Sequence, residues 1–258
     1  MSRVARSVLV LLMVVPATAG AAMTRSPVAL TASPAHLTLT GSGAATIRVT
    51  NTGSSRVVVD VRRAGFSLDL RGRPKIVPRG AKRSADSWLG IRPQRFALRA
   101  GRSSSVTVSA RTPRHAEPGD HDALVLLTTR PRRRVGLAVR MRLGVVVDVR
   151  APGRVVRRLV LRELRLRRRG RLRTLELLVA NRGNVTEEVG RDRVLASLRR
   201  YGTVLASLRP EARELLPHTL GLVLFRYRGP TKGRVSALVT LASDSGDAVM
   251  HRTFRIRL

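Results

Sequence analysis

Apolar and polar side chains alternate at period two through most of this chain, the mark of strands with one buried and one wet face. Leu37 and Leu39 share one face of the segment from His36 to Thr40, and Ile47 and Val49 do so in the next. Asn51-Thr52-Gly53 then supplies a turn, since Asn and Gly tolerate positive φ. Val57, Val59 and Val61 form another face, as do Phe66, Leu68 and Leu70 before Arg71-Gly72-Arg73-Pro74. Phe96 and Leu98 precede Ala100-Gly101, and Val106 and Val108 follow it. Ala123 to Thr129 is continuously apolar, as expected of a central strand.

The longest alternation is Val135, Leu137, Val139, Met141, Leu143, Val145 and Val147, with Arg140 and Arg142 on the opposite face. It exceeds an average strand and is expected to bend or switch sheets near Gly144. Ala151-Pro152-Gly153 reads as a boundary. Beyond it, Leu172 to Ala180 runs into Asn181-Arg182-Gly183. Val194 to Leu198 recurs as Val204 to Leu208 across Tyr201-Gly202, which predicts a hairpin. Leu220 to Tyr227, Val235 to Ala242 and Val249 to Ile256 complete the set. Val155 to Arg168 fits two patterns. Its apolar residues suit a basic amphipathic helix, or a strand with one slip between the Leu159/Leu161 and Leu164/Leu166 pairs. The strand is the expectation.

The two halves repeat. Gly119, Ala123, Leu124, Val125 and Leu127 recur as Gly233, Ala237, Leu238, Val239 and Leu241. Each half also has an early strand ending in Asn-x-Gly, at Asn51 and Asn181. The expected fold is therefore all-β: two tandem immunoglobulin-like β-sandwich domains, spanning residues 27–150 and 155–258.

Residues 1–22 read as a signal peptide. Arg3 and Arg6 precede the apolar run Val8 to Val15, and Ala17-Thr18-Ala19 and Ala19-Gly20-Ala21 fit the small-x-small cleavage pattern. An uncleaved N-terminal anchor is the other reading. No later stretch predicts a membrane span. With Cys absent, disulfides, thiolate zinc sites, a Cys nucleophile and lipid attachment at a cysteine are excluded.

Charge adds a second theme. The formal net charge is +34, and all but three of the 50 basic residues are arginine. Such a chain suits a polyanion: an anionic cell-wall polymer, nucleic acid or an anionic membrane surface met peripherally. A genome that favours arginine codons would give the same count. Aromatic residues make up 3% and are scattered, so stacking platforms are lacking and sequence-specific nucleic acid is not the expected partner.

Candidate chemistry is sparse. Glu117-Pro118-Gly119-Asp120-His121-Asp122 gathers three carboxylates and a histidine, a set hard cations use, although a polar turn explains it as well. Asn184-Val185-Thr186 matches a glycosylation triplet but also reads as a turn, and Trp88 is expected to plug a sandwich core. His36, His115, His218 and His251 are isolated in sequence. No hydrolase elbow, zinc helix or phosphate-cradling loop occurs. The reading is non-enzymatic, with no catalytic, cofactor or metal residues.

The early strand followed by Asn-x-Gly resembles bacterial Ig-like domains of the PapD-chaperone type. Trp88-Leu89-Gly90-Ile91, Phe96 to Ser103, Val106-Thr107-Val108, Pro113 and Pro118-Gly119-Asp120, in that order, resemble the first domain of WxL-interacting proteins, the group with domain of unknown function 916. The strand ending at Val147-Asp148-Val149-Arg150 fits the end of that domain, and the second half is similar to the group's second Ig-like domain. The resemblance implies a peptidoglycan-binding first domain and a second that engages partner surface proteins. The family usually ends in a membrane helix and a basic tail, neither of which is expected in this chain, and the shared residues are framework. A PapD-like chaperone is the alternative, although its basic cleft residues cannot be picked out among so many arginines.

The expected function is thus an exported, cell-envelope binding or adaptor protein for cell-wall polymer or surface proteins. The polyanion binder and the chaperone stand as alternatives. Val135, Leu137, Val139, Arg140, Met141 and Arg142 are the expected docking residues, pairing an extended partner segment onto an open edge. An interior strand, paired on both sides, is the competing reading of the same run.

Overall fold

The structure is a computed structural model that describes residues 26–81, 83–130, 139–170, 172–230, 232–242 and 249–258. The N-terminal segment read as a signal peptide lies outside the described residues, as do Val135 and Leu137. No helix among the described residues is long and apolar enough to cross a membrane.

The first half contains β1 (Leu30–Ser33), β2 (His36–Thr40), β3 (Ala44–Asn51), β4 (Val57–Leu68), β5 (Pro74–Val77), β6 (Leu89–Arg92), β7 (Arg95–Leu98), β8 (Ser103–Ala110), β9 (Gly119–Thr129) and β10 (Arg142–Ala151). One sheet runs β1-β3-β8-β6. The other runs β2-β10-β9-β4-β5, with β7 also paired to β4. The first strand therefore changes sheets: β1 is antiparallel to β3, and after Ser33-Pro34 the chain crosses to place β2 parallel to β10. The inward faces are the ones the alternation assigns. Ile47, Val49, Val59, Val106, Val108, Val125, Leu127, Val145 and Val147 are buried in one cluster.

The second half contains β11 (Leu159–Arg169), β12 (Leu172–Asn181), β13 (Glu187–Val189), β14 (Val194–Arg200), β15 (Thr203–Leu208), β16 (Arg213–Leu215), β17 (Leu220–Tyr227), β18 (Arg234–Ala242) and β19 (Val249–Arg257). Sheet β11-β12-β17 faces sheet β15-β14-β18-β19 across a second cluster that includes Leu175, Leu177, Phe225, Leu198 and Val239. The β13–β16 pair closes one end.

The segment from Val155 to Arg168 is extended, and its slip is real: the β11–β12 register shifts between Leu161 and Glu163. Tyr201 (φ 48°) and Gly202 (φ 84°) make the β14–β15 turn, both left-handed as a tight hairpin requires. Leu70 falls outside β4 and is exposed. Trp88 is only half-buried against the first core, where its ring lies tilted by 46° against that of His121, centroids 4.4 Å apart. The core interior is filled by valine and leucine, so the indole is displaced to the margin.

The halves share their wiring. β3 lies between β1 and β8, as β12 lies between β11 and β17. β9 lies between β4 and β10, as β18 lies between β14 and β19. Gly119 (φ 108°) and Gly233 (φ 96°) hold the same backbone conformation at the start of the repeated Ala-Leu-Val strand.

Candidate functional site

The alternating run leads into β10. Met141, Leu143, Val145 and Val147 face the first core, with Met141 and Leu143 only partly buried. Arg140, Arg142 and Gly144 are exposed. β10 pairs with β9 along its whole length, from Arg142↔Thr128 to Ala151↔Gly119. Its other side pairs with β2 only from Val146↔His36 to Arg150↔Thr40. Residues 142–145 thus have a ladder partner on one side alone among the described residues.

Strand parity shows which backbone groups this leaves open. The Met141 carbonyl accepts from Thr129 N–H, so odd positions point toward β9. Val146 N–H donates to the Ala35 carbonyl and the Arg150 carbonyl accepts from Gly41, so even positions point toward β2. Arg142 and Gly144 therefore aim their N–H and C=O groups past the start of β2, where an added strand would lie. Beside them on the outer face, Arg62, Arg63, Arg130, Arg140 and Arg142 line a shallow concavity with Asp60. Asp60 is held by Arg95 at 2.7 Å and Arg130 at 2.5 Å. These bonds, that to Arg130 foremost, hold its carboxyl below the usual carboxylate range.

Below this edge, β9 and β10 enter the junction between the sandwiches, where the polar residues are acidic. Asp148 stands opposite Asp122 in the ladder, and both are buried. Burial, then the Asp148 charge, pushes the Asp122 carboxyl well above its ordinary range. Burial and the neighbouring negative charge both favour the protonated form of Asp122. Asp148 also accepts from His36 Nε2 at 2.5 Å, and His36 Nδ1 is 3.4 Å from Glu214 on β16 of the second sandwich. The Asp148 bond, then the Glu214 bond, raises His36 to about 10. His36 is thus a cation held between a carboxylate of each sandwich. Glu214 is correspondingly lowered by His36.

The turn Glu117 to Asp122 is divided among separate tasks rather than gathered round an ion. Glu117 pairs with Arg83 at 2.5 Å. Asp120 binds the Arg150 guanidinium at 2.6 and 3.0 Å and accepts from Thr186 N–H at 2.8 Å. His121 Nε2 meets the Glu117 carbonyl at 2.8 Å, and burial lowers its pKa. Period-two alternation turns His121 away from Asp120 and Asp122. No group of three or more His, Asp or Glu suited to a metal occurs among the described residues.

Asn184 is a clip. Its Oδ1 accepts from Val156 N–H at 2.7 Å, and its Nδ2 donates to the Pro118 and Arg154 carbonyls at 3.0 and 2.8 Å. The amide thus ties the Pro118 carbonyl of the first sandwich to the segment that leads into β11. Above it, the β4–β5 hairpin reaches the second sandwich. The Leu70 carbonyl accepts from Leu222 N–H at 2.7 Å and from Arg213 at 2.8 Å, and Arg71 meets Glu176 at 3.2 Å. Ala64, Phe66, Leu124 and Leu216 form a small apolar cluster between the sandwiches. Sequence reasoning missed this junction.

No protein-family model matches the chain, and no curated protein matches it. Solved structures do. A chain from a chaperone–tip adhesin complex, described as vital for synergistic activation of CFA/I fimbriae biogenesis, matches with TM-score 0.50 at 11% identity, over 89% of this chain and 98% of that chain. The class 5 fimbriae chaperone CfaA matches at 0.49 and 12%, over 87% and 98%. The Pseudomonas aeruginosa CupB2 chaperone matches at 0.45 and 14%, over 88% and 100%. At these identities the likeness is one of fold. This chain has the two-sandwich, all-β fold of the PapD-like fimbrial chaperones.

Proposed function

We propose that this is a non-enzymatic, exported protein of the cell envelope that captures an extended segment of a partner surface protein on the open half of β10. Its two sandwiches act as separate domains divided at residues 151–154. The observation that carries this reading is the one-sided pairing of residues 142–145. An open edge offers a ladder of hydrogen bonds, and alternate side chains give selectivity. Met141 and Leu143, partly buried over the first core, would meet the partner's apolar residues. Val139 continues the apolar side, as Val135 and Leu137 do in the sequence, while Arg140 and Arg142 meet acidic groups on the outer face. An open apolar edge also invites aggregation, so a resident partner is expected to cover it.

The ordered residues shared with WxL-interacting proteins support an adaptor bound to cell wall and surface proteins. The fold supports a chaperone that holds subunits in transit. Strand capture is common to both. The test uses extended peptides with alternating apolar residues, selected by display against the full chain. Binding should slow amide exchange at Arg142 and Gly144 while leaving Val145, already bonded to β9, unchanged. Slowing elsewhere, with these two amides unaffected, would remove β10 from the account.

A further inference from the structure

A second basic surface lies on the opposite half of the molecule, and strand register builds it. β18 and β19 set Arg234 opposite Arg257 and Ser236 opposite Arg255. β14 sets Arg199 opposite Ser236. Arg199, Ser236 and Arg255 therefore form one row across three strands, and Arg234 and Arg257 form the next, on the same face. The residues between them point inward: Val235, Ala237, Phe254 and Ile256 pack on the second core. The arginines are thus carried on a rigid sheet. With Arg200 and Tyr201 they line a shallow concavity of about 660 Å³.

What distinguishes this face is the lack of an acidic answer. Among the described residues, none of Arg199, Arg200, Arg234, Arg255 and Arg257 has a carboxylate partner. The Arg200 guanidinium donates to the Lys232 carbonyl instead. Arg168 adds a further guanidinium, donating to the Arg257 carbonyl at 3.1 Å. Arg199 Nε is buried with no hydrogen-bond partner. The arginine-lined concavity beside β10 differs, because it contains Asp60, which bonds Arg130 of its lining and Arg95 nearby. Like charges placed directly opposite on neighbouring strands repel. The Arg234–Arg257 pair is therefore unfavourable unless an anion lies across it.

Guanidinium forks match phosphate oxygens two at a time. Arg255 and Arg257, two residues apart on a strand, stand about 6.6 Å apart along it. A lone anion would use one pair, whereas a polymer with phosphate at every repeat engages both rows. Tyr201 is the one aromatic residue in this lining, so the stacking that single-stranded nucleic acid needs is not provided. We propose that the outer face of the second sandwich, formed by Arg199, Arg234, Arg255 and Arg257, binds a phosphodiester-linked anionic polymer of the cell envelope. The site is separate from the β10 edge and does not depend on strand capture there.

The test measures binding of synthetic poly(glycerol phosphate) to the full chain across a series of salt concentrations. Affinity should fall steeply with salt, as counterion release requires. R234S/R255S/R257S should weaken binding at least ~10-fold at low salt and reduce the log–log salt slope by about two to three. R48S/R92S/R102S removes equal charge from exposed arginines of the first sandwich and should change affinity less than about threefold. Should the first triple variant fail to fold, R255S against R92S gives the same comparison, with a slope change of about one expected for R255S alone. Equal weakening in the paired variants would reduce the site to diffuse net charge and overturn the proposal. So would absence of binding, or equal binding of polyglutamate or oligothymidine.

Discussion

Asn51 and Asn181 occupy equivalent corners of the two sandwiches and make the same three hydrogen bonds. Each Oδ1 accepts from the glycine N–H two residues on, at 3.1 Å from Gly53 and 2.9 Å from Gly183. Each Nδ2 donates to the carbonyl four residues on, Ser55 or Val185, both at 2.8 Å. It also donates to the carbonyl that ends a distant strand, Leu98 at 3.3 Å or Leu215 at 2.9 Å. Both residues are buried. A shared buried geometry of this kind argues for duplication more strongly than a shared run of valines.

Removing either amide leaves buried backbone groups without partners. Asn51→Ala and Asn181→Ala should each cost about 2–4 kcal/mol. Each loss should fall on its own sandwich. Residue-resolved amide exchange should show faster opening around Leu98 for the first variant and around Leu215 for the second. Uniform loosening of both halves would mean that they unfold as one unit.

The corner motif was legible because Asn-x-Gly is local, as were the Tyr201-Gly202 turn and the slip in β11. The junction was not. His36 and Asp148 are 112 residues apart, and only the parallel pairing of β2 with β10 brings them together. Nor could the sequence separate arginines answered by acids, such as Arg130 by Asp60, from those left unanswered on β19. That distinction depends on register between strands far apart in the chain. Asn184 looked like a turn, and its second task, holding the Pro118 carbonyl of the other sandwich, has no local signature.

At Gly119 the backbones of the two sandwiches come close together. Its φ is 108°, and a Cβ there would lie 2.0 Å from the Asn184 carbonyl oxygen. Gly119→Ala should therefore separate the sandwiches while sparing their cores. Small-angle scattering should show a longer molecule, and amide exchange should quicken at Asp120, whose N–H donates to that same carbonyl. An unchanged scattering profile would contradict this role.

The His36 link predicts a dependence on pH. A histidine raised to about 10 from its ordinary 6.5 stabilises the fold fully below pH 6.5. That contribution is lost as pH climbs toward 10. Denaturant titrations should show stability declining across this window, and His36→Ala should flatten the decline. Asp122 acts in the same direction but at lower pH. Its raised carboxyl makes the fold less stable as pH rises above the ordinary carboxylate range. Asp122→Asn should keep a donor toward Asp148, raise stability at pH 7 and leave it nearly unchanged near pH 3.5. A variant less stable at pH 7 would mean that Asp122 is ionised in the fold.

Strand capture stands or falls on one substitution. Gly144 has no left-handed backbone, and a Cβ there meets Leu124 at an ordinary 3.4 Å. Its N–H points to the open side of β10, so proline at this position costs no ladder bond in the free protein. Val145 points toward β9, and proline there breaks the sheet. Binding of the display-selected peptides, measured together with thermal unfolding, should therefore separate the two variants. Gly144→Pro should remain folded and lose peptide binding by about tenfold or more, as expected when a bonded N–H is replaced by a steric block, whereas Val145→Pro should unfold the first sandwich. A Gly144→Pro protein that folds and binds as the parent does, or that fails to fold, would contradict an open docking edge on β10.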